Sequence, residues 1–412
     1  MRFQTIDSLC SLISSGGTPS RKRPDFYTDD SDGHLWVKSK ELLDRSIQDT
    51  EEKITDEGLN NSSAKYFPAD TVLIAMYGAN VCQLGWLKRP ATANQAVCGL
   101  VVNKEIAFSR FVFYALLQTR DALAAKAQGA AQQNLNQGLI REFRIPSPPL
   151  PTQRKIAAIL SAYDDLIENN LRRIKILEEM AQNLYREWFV KFRFPGHQHA
   201  RFTDSPVGRI PEGWEVKTLG QLADQIREGV NPDTVDPETP YFGLEHLPRK
   251  SISLAEWGLA SEVQSTKLLF KKGDILFGKI RPYFHKVGVA PLPGVCSSDT
   301  IVIRPRAAVW FGLVLGCTSS VEFVEYATAT SQGTKMPRAN WDVLVKYQIP
   351  TPHQPILGQF NEFMSEIVCQ LRNFVFRNTT LRRTRDLLLP RLISGEVDVS
   401  ALDIAVPEEA GA

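Results

Sequence analysis

The chain is poor in anything that would equip it for chemistry of its own. Its six cysteines, Cys10, Cys82, Cys98, Cys296, Cys317 and Cys369, form no C-x-x-C pair and have no histidine at metal-ligand spacing. That excludes a zinc motif, argues against a disulfide framework, and fits a reducing, cytoplasmic setting. The longest apolar run, "VWFGLVLGC" at 309–317, is far short of the roughly 20 residues a bilayer span needs, so no membrane partner is expected. The opening "MRFQTIDSLC" lacks the basic leader and apolar core of a signal peptide. There is no G-x-S-x-G, no H-E-x-x-H, no G-x-G-x-x-G and no Asn/Asp-Pro-Pro-aromatic motif of an amino-methyltransferase. "GDILFGKI" at 273–280 imitates a phosphate loop, but Ile280 stands where a hydroxyl must bind magnesium, and the interior alternates like a strand. "HQH" (197–199) reads as solvated histidines, and "DFYTDDSDGH" (25–34) departs from calcium-loop spacing and reads as a turn. With no catalytic or metal-ligating constellation, the expectation is a binding protein. Charge of one sign is also scarce: 48 Lys+Arg against 46 Asp+Glu leaves +2. A polyanion would have to be met by local basic patches, or with help from partners.

What the chain does have, it has twice. At 412 residues it is too long for one hydrophobic core. "RIPSPPLPTQRKIAAIL" (144–160) returns as "QIPTPHQPILGQFNEFM" (348–364), half a chain later. "FQTIDSLCSLI" (3–13) pairs with "VKTLGQLADQI" (216–226), "YFPADTVLIAMYG" (66–78) with "LFKKGDILFGKIR" (269–281), and "AQGAAQQNLN" (127–136) with "TSQGTKMPRAN" (330–340). Two copies suit a pseudo-two-fold object rather than a solenoid. Short β-rich runs such as "DTVLIAMY" and "DTIVIRP" alternate with helical pieces such as "FVFYALLQTRDALAAK". The expected class is α+β: two similar mixed α/β globules joined by two long helices. The expected layout is a first globule at 1–150, a central helix at 151–193, a linker at 194–213, a second globule at 214–352, a C-terminal helix at 353–394 and a flexible tail at 395–412.

Each proline gate opens a helix with a coiled-coil stripe. In the first, Leu160, Tyr163, Ile167, Asn170, Ile174, Leu177, Ala181, Leu184 and Trp188 step by three and four. The second gives Met364, Ile367, Leu371, Phe374, Asn378, Leu381, Arg385 and Leu388, and Pro390 should end or kink it near Leu389. An asparagine in each stripe is the register-fixing device of a coiled-coil core. Acidic "DDLIE" (164–168) precedes basic "RRIK" (172–175) on the first helix, and "RRTR" (382–385) ends the second, so antiparallel pairing brings opposite charges together. Arg385 on the stripe implies a looser pairing or cover from a partner. A seam from 160 to 188 would extend roughly 43 Å at about 1.5 Å per residue, the length of a spacer between the globules.

Basic and amide residues gather on loops: Arg21, Lys22 and Arg23 in "GGTPSRKR"; Gln132, Gln133 and Asn134; Lys279, Arg281, Tyr283 and Lys286 in "FGKIRPYFHK"; and Lys335 and Arg338 in "GTKMPR". Arg and Lys neutralise phosphates or pair with guanine, and Gln and Asn can address adenine. Paired globules on a spacer fit a long two-part target such as duplex DNA.

These features together resemble the DNA-specificity subunit of type I restriction–modification enzymes over nearly the whole length: the gate-and-helix "IPSPPLPTQRKIAAIL", its echo ending "LLLPRLISGEVDV", "GGTPS", "F-x-K-G-D-I-L" and "QGTKMPR". The resemblance implies two target-recognition domains, each reading half of a bipartite asymmetric site, and an antiparallel coil whose length sets the gap. It also implies docking of two modification subunits that bind S-adenosylmethionine and methylate adenine, and of two restriction subunits that use ATP and Mg. No cofactor is expected in this chain itself. "YFGLEHLPRKSISLAEWG" (241–258) has no close match in the first half, so the half-sites should differ. The competing readings are a methyltransferase or nuclease with a diverged site, and a scaffold with no nucleic-acid role.

Overall fold

A computed structural model describes residues 2–127 and 134–406. Its contacts fall into two compact units, Met1–Ile167 with Leu381–Ala412, and Glu168–Thr380.

In the first unit the strand Val97–Val102 lies between Cys10–Ser15 and Val72–Ala75, antiparallel to both. Leu84–Leu87 and then Arg45–Ile47 extend that sheet. A second small sheet runs Tyr66–Phe67, Ala91–Ala93, His34–Val37, Lys53–Ile54, Tyr27–Thr28, with one parallel step between Ala91–Ala93 and His34–Val37. The second unit repeats this order. Thr300–Pro305 lies between Ala223–Ile226 and Ile275–Gly278, and Val287–Val289 follows. Its other sheet runs Gly229–Val230, Lys267–Phe270, Gly294–Cys296, Pro240–Phe242, Gly258–Leu259, again with one parallel step, between Gly294–Cys296 and Pro240–Phe242. The central strands are apolar on both faces because each is covered on both sides; Val72 to Ala75 and Ile275 to Gly278 are wholly buried.

The proline gates are clasps. Pro146 ends a strand, Arg144–Pro146, that pairs antiparallel with Phe3–Thr5, and Pro350 lies in Gln348–Thr351, paired with Glu215–Thr218. A two-stranded ribbon has only edge strands, where proline's missing N–H costs nothing. In each half the opening segment is thus tied to the residues that launch the long helix. Buried Gln153 secures the first launch, accepting from the Phe108 N–H at 2.9 Å and donating to the Pro148 carbonyl at 2.9 Å.

The long helices are Leu150–Tyr185, prolonged by a wide turn at Arg186–Val190, and Gln354–Ser394. Within each unit they run antiparallel. In the first unit Asp164 meets Arg385 at 2.5 Å, and Leu160 shares a core with Leu389, Leu392 and Ile393. In the second, Asn170 meets Asn378, Arg173 lies over the Phe374 ring, and Trp188 packs on Phe360. Leu160, Ile167, Asn170, Ile174, Ala181, Trp188, Met364, Ile367, Leu371 and Asn378 are buried, while Tyr163, Leu177, Leu184, Phe374, Leu381 and Leu388 are half-buried.

Several sequence expectations give way. Pro390 does not end the helix, which continues to Ser394. A proline inside a helix costs about 3 kcal/mol; burial of Leu389, Leu392 and Ile393, each worth about 1.5–3 kcal/mol, offsets it. Arg385 is not a loose spot: burial opposes its charge, but Asp164 and Asp386 hold it protonated more firmly than usual, and Asp164 also accepts from Tyr114 Oη at 2.5 Å. The stretch at 194–213 is structured. Phe202–Ser205 and Gly208–Pro211 form a hairpin, and Phe194, Ile210 and Trp214 enter the second unit's core. The tail is anchored as far as Leu402: Val399 is buried, and Lys155 Nζ donates to the Ser400 and Leu402 carbonyls at 2.8 and 2.7 Å. The run 309–317 lies in a core helix, Phe311–Thr318, against Tyr185 and Met364. Among the described residues no single helix is long and apolar enough to cross a membrane.

The paired asparagines make a stability prediction. Asn378→Leu alone leaves the Asn170 amide unpartnered in the seam and should cost about 1–3 kcal/mol. Asn170→Leu with Asn378→Leu should recover most of that. Denaturant unfolding of the full chain decides: equal losses in single and double variants would show that the amides are not a coupled pair.

Candidate nucleic-acid interface

The two units share a turn built to the same backbone plan. Left-handed residues recur at a constant shift of 203 positions (273 − 70, 281 − 78, 285 − 82): Asp70 and Gly273, Gly78 and Arg281, Cys82 and His285. The hydrogen bonds match too, at a shift of 203 for the turn (279 − 76) and 204 for the segment facing it (339 − 135). The Met76 N–H donates to the Ala96 carbonyl and the Lys279 N–H to that of Asp299, both at 2.8 Å; Leu135 N–H meets Met76 O, and Ala339 N–H meets Lys279 O. A bridge ties Tyr77 to Asn134, and another ties Ile280 to Arg338. In each unit, then, the loop after the central hairpin strand lies beside a second segment, at Asn134 and Leu135 or at Arg338 and Ala339. A glycine takes a left-handed φ freely, as Gly78 does; Arg281 and His285 adopt it at a cost of about 1–2 kcal/mol each.

In the second unit this juxtaposition gathers cations. The Arg281 N–H donates to the Pro337 carbonyl at 2.8 Å, and its guanidinium to the Lys335 carbonyl at 3.4 Å, binding loop 280–286 to loop 332–338. Arg338 pairs with Asp299 at 3.5 Å. Lys335 is exposed, Lys279 half-buried, and Tyr283 half exposed at the apex of the turn. Lys286 Nζ reaches the Leu244 carbonyl; burial first, then the Arg249 charge, lower its pKa. Arg249 lies 4.1 Å from the centre of the Phe284 ring, and the Lys250 N–H donates to the His285 carbonyl at 2.8 Å. Arg249 and Lys250 were missed in the sequence because 241–258 showed no repeat there.

The structure supplies that repeat. Pro240–Phe242 and His34–Val37 are the equivalent parallel strands, and each runs into a short 3₁₀ turn, Leu244–His246 or Ser39–Glu41. Both turns are capped the same way, by Gly243 N–H to His246 Nδ1 at 3.0 Å and by Lys38 N–H to Glu41 Oε2 at 2.8 Å. The side chains diverged while the frame stayed.

The first unit's basic cluster is largely spoken for. Arg21 pairs with Glu52 at 2.7 Å and lies over Tyr27, and Arg23 pairs with Asp25 and Glu57. Lys22 is exposed. "GGTPS" is a packing motif, since a Cβ on Gly16 would meet the Ala93 carbonyl and one on Gly17 the Ser63 backbone. Asn134 is exposed beside Tyr77, while Gln132 and Gln133 lie outside the described residues. The decoy at 273–280 is a strand, Ile275–Gly278. All six cysteines are free, and among the described residues no three His, Cys, Asp or Glu side chains cluster as metal ligands.

The model of the family described as type I restriction modification DNA specificity domain matches residues 2–179. The MjaIX specificity subunit of Methanocaldococcus jannaschii is 26% identical over 406 residues, 95% of this chain and 92% of its own length. The MjaVIII specificity subunit of the same organism is 26% identical across 93% and 91%. Over nearly its whole length the chain is similar to type I restriction–modification specificity subunits. The S subunit from M. genitalium has the same fold, with a TM-score of 0.62 at 15% identity over 95% of this chain and 96% of that one. Two mixed α/β units and paired long helices are the architecture it shares with that subunit, and its own two shared turns carry different side chains.

His285 makes the second turn sensitive to pH. Burial holds its imidazole neutral, with its pKa below the usual value; the Ser319 carbonyl at 2.8 Å opposes this and Lys250 adds to it. A base whose pKa folding lowers stabilises fully above the unfolded value of about 6.5, and that contribution is lost as pH falls below it. Denaturation midpoints should therefore drop between about pH 7 and about pH 5.5 more steeply for wild type than for His285→Asn, since asparagine keeps a left-handed backbone without titrating. Parallel profiles would rule His285 out.

Proposed function

We propose that this specificity subunit reads a bipartite, asymmetric DNA site, each unit addressing one half-site through the turn and neighbouring segment described above. Specificity subunits work within restriction–modification complexes with DNA, and the chain is a recognition component; a diverged methyltransferase or nuclease is not favoured. One observation carries the reading: the same backbone turn occurs in both units at a constant shift, with Gly78 and Asn80 in one and Arg281 and Tyr283 in the other. A frame kept twice with different exposed side chains is the arrangement expected of two readers with different half-sites. On this reading Lys279, Lys335 and Arg338 meet phosphate or base edges, and Lys22 and Asn134, with Gln132 and Gln133, serve the first half-site. The net charge of +2 leaves part of the hold on DNA to partners. Those partners are two modification subunits, carrying S-adenosylmethionine, docked on the helices, and two restriction subunits using ATP and Mg, in the cytoplasm.

Methylome sequencing of cells carrying this chain with its cognate modification subunit tests the core of the proposal. A two-part motif is expected. Lys279→Ala with Lys335→Ala in that complex should lower the salt slope of DNA binding by about two without altering the first half-site. An unchanged slope would remove those lysines from the interface.

The helices supply a second test. Ile167–Arg173 and Val375–Leu381 are facing heptads that contain the Asn170–Asn378 pair. Deleting both removes about 10 Å of helix, about 3 base pairs at 3.4 Å each, while keeping the remaining partners in register. The methylated motif should keep both halves and lose about 3 base pairs of gap. An unchanged gap would contradict a spacer role.

A further inference from the structure

We propose that Tyr283 stacks on a nucleobase, so that the second unit opens a base step of its half-site and the first unit does not. The proposal rests on the DNA reading above and adds a mode of contact to it. Tyr283 sits at the middle of a single 3₁₀ turn, Pro282–Phe284, bracketed by left-handed Arg281 and His285. Both ends of that turn are held. The Phe284 N–H donates to the Arg281 carbonyl and the His285 N–H to the Pro282 carbonyl, each at 2.8 Å. The Arg281 N–H is taken by Pro337, and the buried His285 ring reaches the Ser319 carbonyl. A turn pinned this way does not fold its apex residue back onto the protein. The Tyr283 ring is 50% exposed, and among the described residues it touches one ring, Phe284, edge-on at 4.9 Å.

The first unit shows that the turn does not need an aromatic there. At the constant shift the residue is Asn80, whose Nδ2 donates back to the Ser39 carbonyl at 3.2 Å, and the left-handed positions at 78 and 82 are unchanged. Tyr283 is therefore surplus to the fold. A rigid, half-exposed aromatic with its ordering cost already met is the form a binding anchor takes. Its neighbours decide the ligand class. Arg249 and Arg281 flank Phe284, and Lys335 is tied in by Arg281. An aromatic pair, Tyr283 on Phe284, with cations on the Phe284 ring matches a base face bordered by phosphates. Within a duplex a base offers its face only where a step is opened, as apolar and aromatic wedges do elsewhere. Asn80, drawn inward, gives the first unit no such wedge.

The test uses the full chain assembled with its cognate modification subunit, and duplexes carrying its bipartite site with 2-aminopurine walked through each half. Wild type and Tyr283→Phe should raise the fluorescence at one position in one half-site, with affinities within about 2-fold of each other. Tyr283→Ala, which still assembles with the modification subunit, should lose that signal and bind about 10- to 100-fold more weakly. An unaltered signal and affinity in Tyr283→Ala overturns the proposal. So does a weakened Tyr283→Ala when no 2-aminopurine position responds in wild type, since the ring would then touch backbone or a partner protein. If the wild-type complex does not prefer its site over a scrambled duplex, the DNA reading itself fails, and the stacking proposal with it.

Discussion

The hydrogen bond from Asn170 Nδ2 to Asn378 Oδ1, 2.8 Å long and between side chains only 4% and 3% exposed, fixes the register on which the rest depends. Apolar seams are permissive: Leu, Ile and Phe side chains pack almost as well one heptad away. An amide is not. Slipped by a heptad, Asn170 would face Leu371 or Arg385 and Asn378 would face Tyr163 or Leu177, and each amide left stranded would lose about 1–3 kcal/mol. Even in register the pair is frugal, since Asn378 only accepts and its Nδ2 has no partner. The polar pair therefore contributes alignment more than stability. Asp164 and Arg385, joined by Tyr114, repeat the logic in the first unit: a half-buried charged cluster that tolerates one antiparallel alignment.

Alignment matters because the helices are integral to both units. Leu160 and Leu392 belong to the first unit's core, and Tyr185, Trp188, Met364 and Leu371 to the second's. The helix Phe311–Thr318 approaches so closely that Gly316 abuts the Tyr185 ring and Gly312 the Met364 side chain. A shift along the seam would have to break these cores. The proline clasps have the same effect at the helix starts, because Phe3–Thr5 and Glu215–Thr218 hold the launching strands. The shared turn in each unit is thus placed by packing that runs back to that unit's stretch of the seam.

Features governed by periodicity were legible in the sequence. Heptad steps gave the stripe, alternation gave "DTVLIAMY" and "DILFGKI" as strands, and charge order gave the antiparallel sense, realised in Asp164 and Arg385. Features governed by tertiary exchange were not. Prolines at 195, 206 and 211 spelled linker, yet Phe194, Ile210 and Trp214 gain more from burial than the prolines lose. Pro390 survives in a helix for the same reason. Arg21 and Arg23 looked like phosphate ligands because Glu52 and Glu57, which pair with them, stand about 30 residues away in the chain, although Asp25, the other partner of Arg23, stands only two residues on. The repeat at 241–250 was invisible because what recurs there is a cap and a backbone angle, and Lys38, Glu41 and Asp44 bear no likeness to Gly243, His246 and Lys250.

That last case separates two kinds of sequence constraint. Where the chain needs only a φ, a cap or a strand, residue identity drifts freely: glycine, cysteine, arginine and histidine all serve at matching left-handed positions. Where a side chain does something beyond the frame, its counterpart in the other unit need not do the same. Asn80 and Tyr283 occupy one backbone position and face opposite ways, one donating inward and one exposed. Asp44 and Lys250, close in the two frames, even carry opposite charge, and Asp44 is neutralised by Arg120 while Lys250 stands exposed. Duplication followed by divergence at such points gives a molecule whose halves are mechanically alike and chemically distinct. A protein that must treat two halves of one ligand differently, while holding both with the same geometry, is subject to that combination of constraints.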